Sequence, residues 1–519
     1  MTATFPASSP RAPGACGTAA GLALAAGLLG LQPLAAAQAT APIQVQAAAE
    51  TGPVPRTPAP ASRLPAEVEA ALEAARIPPS AMAVWVQDLG RPAGGPGAAA
   101  GATGGTTRIA WQADLALNPA SLMKLLPTFA ALETLGPAYT WRTPVWLQGS
   151  LQDGVLEGSL VIKGQGDPRL VVERVWGLLR RVQQLGVREI RGDIVLDRSA
   201  FSLAEQSPGD FDGEPLRPYN VGPDALLLNQ RVFTLTLMPD PAARVARVAM
   251  EPALAGVSAP ATVPLLPGPC ADWRAGLKAD FSDPARVVLA GGYAASCGER
   301  QWPVAYAEPT SFNSRLLQAL WRDLGGTLRG RVREGQAPTD IAPSFELVSP
   351  PLAEVVRDIN KFSNNPMAQQ LFLSMAWQQR GLGSMAAARD GLAQWAGTRL
   401  GDAAGSLVVD NGSGLSRDNR LSARLLGRLL QVAWASPVMP EFVSSLPVAG
   451  ADGTTRRLKS IEGRAHLKTG SLRDVAGIAG YVHTPSGRRL AVVALVNHPQ
   501  AGAARPAFEA LLQGLLNTD

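Results

Sequence analysis

Three short segments hold side chains whose types and spacing suit acyl transfer. In Ser121-Leu122-Met123-Lys124 a hydroxyl and an amine stand three residues apart, on one face of a helix, so the amine can lie beside the hydroxyl. A free Lys is protonated near pH 7 and cannot act as a base. Burial and a neighbouring cation both depress its pKa, and it can then take the Ser proton. This is the only S-x-x-K in the chain.

The second segment is Ser363-Asn364-Asn365. A second hydroxyl can relay a proton to a leaving amine, and the Asn365 amide can hold a substrate carbonyl. Ser311-Phe312-Asn313 has the same pattern, but Ser363 follows a predicted helix and precedes the third segment. That third segment, Lys468-Thr469-Gly470-Ser471, falls on a predicted strand. It offers a cation and a hydroxyl for a carboxylate, close backbone approach at Gly470, and the Ser471 amide for an oxyanion. Each pattern also has a plain structural reading: an exposed helix face, a helix C-terminal turn, a strand end. Lysine usage favours the chemical one. Only six lysines occur, and Lys124, Lys361 and Lys468 sit in or beside the three segments while every other cation is Arg. Arg cannot be deprotonated, so a chemistry that needs a shiftable amine needs Lys.

The elements that position these residues follow from patterning. Helices are expected over 65–75, 121–135, 172–185, 314–324, 352–359, 367–379, 385–400, 422–433 and 505–516. Pro127 should kink or split the second of them. Strands are expected over 81–89, 108–115, 145–164, 189–196, 232–238, 245–250 and 286–289, with a closing meander over 465–469, 475–483 and 489–497. A Gly/Ala/Pro-rich loop is expected over 90–106, and an acidic loop over 207–218 carries Asp210, Asp212 and Glu214. The stretch 145–306 reads as an inserted, mostly β region between two parts of one domain, 64–144 and 307–519.

Length and composition bound the rest. At 519 residues the chain exceeds one usual core, and 17% charged residues with mean hydropathy +0.06 argue against extended disorder. A net charge of +5 without a Lys/Arg run gives no sign of a nucleic-acid partner. Three histidines near the carboxyl end and three cysteines make a metal site a poor expectation, and no cofactor is implied. Residues 1–39 read as a cleaved signal peptide, with an apolar run at 19–31 and small residues before cleavage after Ala37 or Ala39. The run is short for a membrane anchor and Pro33 interrupts it. Residues 40–63 form a Pro/Ala-rich linker. Export leaves Cys270 and Cys297, which read as one disulfide closing a loop of roughly 28 residues, worth about 3–4 kcal/mol. Two buried free thiols are the alternative.

Taken together and in this order, the three segments resemble the penicillin-recognising serine acyltransferases. The 242 positions from Ser121 to Ser363 and 105 from Ser363 to Lys468 resemble the class C low-molecular-mass penicillin-binding proteins, peptidase family S13. Further similar segments are Gly164-Gln165-Gly166-Asp167-Pro168, the run from Asn411 to Arg417, and the run from Leu446 to Thr454. Asn411 stands where an Asp is common in that family.

The resemblance implies an α/β (α+β) fold: a penicillin-binding transpeptidase/β-lactamase-like domain with a large, mostly β insert. It also implies a periplasmic serine D,D-peptidase acting on peptidoglycan stem peptides, as carboxypeptidase, endopeptidase or both, and acylated by β-lactam antibiotics. Ser121 is the implied nucleophile and Lys124 its base, with Ser363 and Lys468 returning the proton. Asn365, Thr469, Gly470 and Ser471 are the implied substrate contacts. The acidic loop could meet the free amine of a diamino acid, and His466 could titrate near Lys468; a solvated loop and a surface His are the plainer readings. A β-lactamase-like hydrolase and a non-catalytic wall-binding scaffold are the alternatives. No dedicated deacylating Glu motif supports the first, and the intact set of residues opposes the second. Peripheral membrane contact stays open.

Overall fold

The computed structural model describes residues 63–89 and 105–517; the expected signal peptide, most of the linker and most of the 90–106 loop lie outside the described residues. Five strands build the sheet that carries the third segment, in the order Ala465–Leu472, Val475–His483, Arg489–Asn497, Met82–Asp88, Thr107–Trp111. The first strand of the described chain thus pairs antiparallel with the last, with Met82 opposite Val496. Met82–Asp88 is almost continuously apolar because both faces are covered. Its side chains alternate between two cores. Met82, Val84 and Val86 pack with the helices Ala66–Ala74 and Arg505–Asn517, whereas Ala83 and Trp85 face the larger helical layer.

That layer surrounds the helix Leu125–Thr134, which is buried on nearly every side. Leu352–Phe362, Asn365–Arg380, Met385–Leu400 and Ala423–Trp434 pack about it through residues such as Val355, Ile359, Leu371, Phe372, Leu392 and Leu426. An all-round apolar helix can only be a central one.

The inserted region holds two larger sheets and a two-stranded one, Ala279–Asp280 with Val288–Leu289. A seven-stranded sheet is centred on the hairpin Arg142–Gln152 and Val155–Lys163, turning at Asp153-Gly154. A five-stranded sheet follows the order Tyr293–Ala294, Thr262–Leu266, Val245–Glu251, Val232–Asp240, Arg300–Ala305, and the Cys270–Cys297 disulfide lies at its edge. Both share one core with the helices Val172–Gln184 and Pro309–Asp323.

Here the sequence boundary at 306 moves. Pro309–Asp323 gives Phe312, Leu316, Leu317, Leu320 and Trp321 to the core of the insert, and Phe345–Val348 pairs with Arg142–Gln152. The chain therefore stays with the insert to about Val348. A helical pattern alone does not say which sheet a helix covers, and the added strands are only two to four residues long. The described residues cluster as one compact unit, so the insert is packed into the fold and not strung from it.

Candidate active site

Ser121 and Lys124 sit in a tight 3-10 turn, Ala120–Lys124, that runs directly into the α-helix Leu125–Thr134. The expected break comes before Pro127 and not at it. Pro127 occupies the first turn of the α-helix, where its missing N–H leaves no bond unmade. The 3-10 geometry eclipses positions i and i+3, and Lys124 Nζ lies 2.9 Å from Ser121 Oγ. Ala120 enters the turn in a left-handed conformation (φ 46°), fixed by a 2.8 Å bond from its N–H to the Asn118 side chain.

Lys124 is fully buried and has two other acceptors, Asn365 Oδ1 at 2.6 Å and the Ser413 carbonyl at 2.5 Å. Burial foremost, and then the charge of Lys468, holds its pKa well below the ordinary lysine range. A buried amine short of water and close to a second amine is neutral at much lower pH than a free one. A neutral Lys124 would spend its two N–H groups on Asn365 and Ser413 and turn its lone pair to the Ser121 hydroxyl.

Ser363 is the residue that ends helix Leu352–Phe362, in left-handed conformation (φ 57°, ψ 37°). Asn364 then caps the next helix, accepting from the Met367 N–H at 2.9 Å, and Asn365 opens it. The sharp break between two helices is what turns Ser363 and Asn365 into the same cleft. Ser363 Oγ accepts from Lys468 Nζ at 2.9 Å, and Lys468 also donates to the Thr469 carbonyl at 2.7 Å. Lys468 is fully buried, and burial brings its pKa down to about 7. Two serine hydroxyls thus each meet a buried lysine, and Asn365 bonds the first of these lysines.

Lys468, Thr469, Gly470 and Ser471 lie on the edge strand Ala465–Leu472 of the five-stranded sheet. A Cβ at Gly470 would come 2.6 Å from the Pro119 carbonyl, so only glycine lets this strand run against the Ser121 turn. Gly414 performs the same service from the other side. A Cβ there would lie 1.9 Å from the Ala120 carbonyl and 3.0 Å from the Ser121 Cα, at a φ of +82°.

Three participants stand outside the expected site residues. The Ser413 carbonyl on Lys124 is a main-chain group, invisible as a side-chain type. Asn411 shapes its loop: its Oδ1 accepts from the Ser413 N–H at 3.1 Å and its Nδ2 donates to the Leu415 carbonyl at 2.7 Å, a bond that a carboxylate could not donate. The Thr454 hydroxyl, 2.8 Å from that of Thr469, lies in a run whose only sequence signal is family likeness.

The acidic loop abuts the site. Asn365 Nδ2 donates to the Tyr219 carbonyl at 3.1 Å, and Asp212 accepts from the Tyr219 hydroxyl at 2.9 Å and Asn220 Nδ2 at 2.7 Å. Asp210 accepts from the Ser207 N–H at 3.1 Å, while Glu214 is exposed and pairs with Arg217 at 3.3 Å. His466 is half-buried rather than a surface residue. Its ring meets His483 edge-on at 5.3 Å, and burial, then Lys361, holds its pKa below the ordinary value. Ser311-Phe312-Asn313 falls inside the helix Pro309–Asp323 of the insert, with Phe312 in its core. Among the described residues no group of three or more His, Cys, Asp or Glu could hold a metal ion, and no helix is long and apolar enough to cross a membrane.

Residues 81–517 match the family described as the D-Ala-D-Ala carboxypeptidase 3 (S13) family. The chain is 25% identical to D-alanyl-D-alanine carboxypeptidase DacB of Haemophilus influenzae over 408 residues, 74% of this chain and 81% of that protein. It is 30% identical to a D-alanyl-D-alanine carboxypeptidase of Actinomadura sp. strain R39 over 420 residues, 75% of this chain and 74% of that one. The crystal structure of penicillin-binding protein 4 (dacB) from H. influenzae covers 84% of this chain and 96% of its own, with a TM-score of 0.65 at 22% identity. The same protein complexed with a β-lactam gives 0.60 at 21% identity, with the same coverage.

Proposed function

The chain belongs to the D-Ala-D-Ala carboxypeptidase 3 (S13) family of serine peptidases, and from that membership we propose how its own residues cleave peptidoglycan stem peptides. Neutral Lys124 takes the Ser121 proton as Ser121 Oγ attacks the carbonyl between two D-amino acids. The tetrahedral oxyanion rests on the Ser121 and Ser471 amides, each worth about 3–4 kcal/mol by the behaviour of such donors elsewhere. The Ser363 hydroxyl hands a proton to the leaving amine and draws its replacement through Lys468. Asn365 orients the substrate and holds Lys124. Thr469 and Ser471 receive the carboxylate of the leaving residue. Water then releases the acyl-enzyme and returns Ser121.

The observation that carries this reading is the pairing of two fully buried lysines with two serine hydroxyls, each at 2.9 Å, in one cleft. A buried lysine pair is expensive in folding free energy, and a merely structural role would be filled as well by apolar residues. Loss of a terminal D-Ala is carboxypeptidase action, and cutting a D-Ala–diamino acid cross-link is endopeptidase action; the same groups serve both. The substrate puts the working enzyme outside the cytoplasm, and the apolar run at 19–31 is its export signal to the periplasm.

Fluorescent penicillin should label the mature protein as a stable adduct, and Ser121→Ala should abolish the band. A band that survives in the variant would sink Ser121 as nucleophile. Within the same reading the acidic loop faces the diamino acid. Asp212 is already committed to Tyr219 and Asn220, which leaves the exposed Asp210 and Glu214, the latter in a surface ion pair with Arg217 that a substrate ammonium can exchange, as the carboxylates to meet it. Glu214→Gln should lower severalfold the preference for stems with a free side-chain amine over acetylated ones. Equal rates on the two stems before and after the change would exclude that role.

A further inference from the structure

Lys361, on the last turn of the helix that Ser363 ends, reaches across to the 446–454 loop. Its Nζ donates to Asp452 Oδ2 at 2.5 Å and to the Leu446 carbonyl at 3.1 Å, while Asp452 Oδ1 accepts from the Val448 N–H at 2.7 Å. Gly453, at a φ of +53°, passes so close that a Cβ there would lie 2.6 Å from the Lys361 carbonyl. The next residue is Thr454. It is exposed, and its hydroxyl accepts from the hydroxyl of Thr469 at 2.8 Å. A loop that is clamped at two points therefore ends by pressing one hydroxyl against another at the rim of the cleft.

Hydroxyl arithmetic gives the contact a direction. A threonine has one O–H to donate. In the structure Thr469 donates to Thr454, and so oriented it has nothing left for a substrate carboxylate, which only accepts. If Thr454 donates to Thr469, the Thr469 proton is free to point at the carboxylate, and the two bonds polarise one another. Arrival of a carboxylate selects the second arrangement.

We propose that Thr454 is a specificity-determining positioning residue for the free carboxylate of the leaving amino acid, acting through the Thr469 hydroxyl and held in place by the Lys361–Asp452 ion pair. This rests on the D,D-peptidase reading above. It adds a residue outside the three catalytic segments and gives the 446–454 loop a role in discriminating substrates that end in a carboxylate from those that end in a neutral amide.

The test compares kcat/KM on a stem peptide ending in D-Ala-D-Ala with its carboxamide, in wild type, Thr454→Val and Thr454→Ser. Valine keeps the shape and removes the proton, whereas serine keeps the proton. The acid-to-amide ratio should fall about tenfold in Thr454→Val, the worth of one hydrogen bond to a charged group, and should be restored in Thr454→Ser. Asp452→Asn should move the ratio in the same direction by loosening the loop. An equal loss on both substrates in Thr454→Val, or an unchanged ratio, would overturn the proposal, since a purely structural role lowers both together. Penicillin labelling of the wild type separates the two levels: absence of labelling and of cleavage fails the D,D-peptidase reading, whereas normal wild-type activity with an unmoved ratio fails Thr454 alone.

Discussion

At the scale of single residues the site is a problem in protonation. In the proposed mechanism Lys124 must be neutral to act as a base, and Lys468 is to supply a positive field beside Ser363 and the incoming carboxylate. Burial lowers both pKa values, and the charge of Lys468 lowers that of Lys124 further. The sign follows directly. Acylation should rise with pH as Lys124 loses its proton, then fall as Lys468 loses its own at about 7. The limbs belong to the coupled pair rather than to either group alone. Second-order rates of penicillin acylation from pH 5 to 10 would trace the bell. In Lys468→Arg, whose guanidinium stays charged, the alkaline limb should leave that range even though the maximal rate drops. A wild-type alkaline limb near 10 would show that burial does not depress Lys468.

At the scale of elements the governing fact is close approach. Gly414 and Gly470 come from two separate segments, and each lets main chain lie where a Cβ would strike the Pro119–Ser121 stretch. Gly414→Ala should displace the nucleophile's turn, because its Cβ would fall 1.9 Å from the Ala120 carbonyl in a conformation that already disfavours alanine. A shift of the order of 1 Å at a reacting atom costs roughly a hundredfold in rate, and stopped-flow acylation would read it. The same scale explains what is legible in sequence. Met385–Leu400, Val475–His483 and Arg489–Asn497 follow the expected bounds, because long periodic runs declare themselves. The Ser121 helix divides before Pro127 rather than at it, since proline in a first helical turn breaks nothing. Strands such as Thr262–Leu266 and Arg300–Ala305 give no clear sequence signal, since each carries a Pro and gains its place only by pairing, with Val245–Glu251 and Val232–Asp240 respectively. The residue types of the site can be named from sequence alone. The contacts that join them cannot, because the Ser413 carbonyl, the Tyr219 carbonyl and the Thr454 hydroxyl arrive from loops whose course depends on tertiary packing.

At the scale of the whole molecule the insert is a structural neighbour of the cleft. Its residues hold the start of helix Asn365–Arg380 from outside. The Tyr219 carbonyl accepts from Asn365, Gln230 Oε1 accepts from Asn364 Nδ2 at 3.1 Å, and the fully buried Gln370 bonds both main-chain groups of Asp224. Gln370 Oε1 accepts from the Asp224 N–H at 2.9 Å and Nε2 donates to its carbonyl at 2.8 Å, so one side chain completes the backbone of another segment. Asp224 in turn receives Arg198 and Arg231, which keeps a buried carboxylate paired. Gln370→Ala would strand two buried main-chain groups, each costing about 1–3 kcal/mol. Thermal unfolding should register that loss. Acylation by penicillin should slow as well, because Asn365 lies more than one helical turn N-terminal to Gln370 and bonds the amine that must accept the Ser121 proton. A variant that melts earlier yet acylates at the wild-type rate at room temperature would mean that the insert stabilises the fold without tuning the cleft. A parallel fall in both would make the insert part of the catalytic positioning, and would explain in physical terms why so large a region is packed between the segments that carry Ser121 and Ser363.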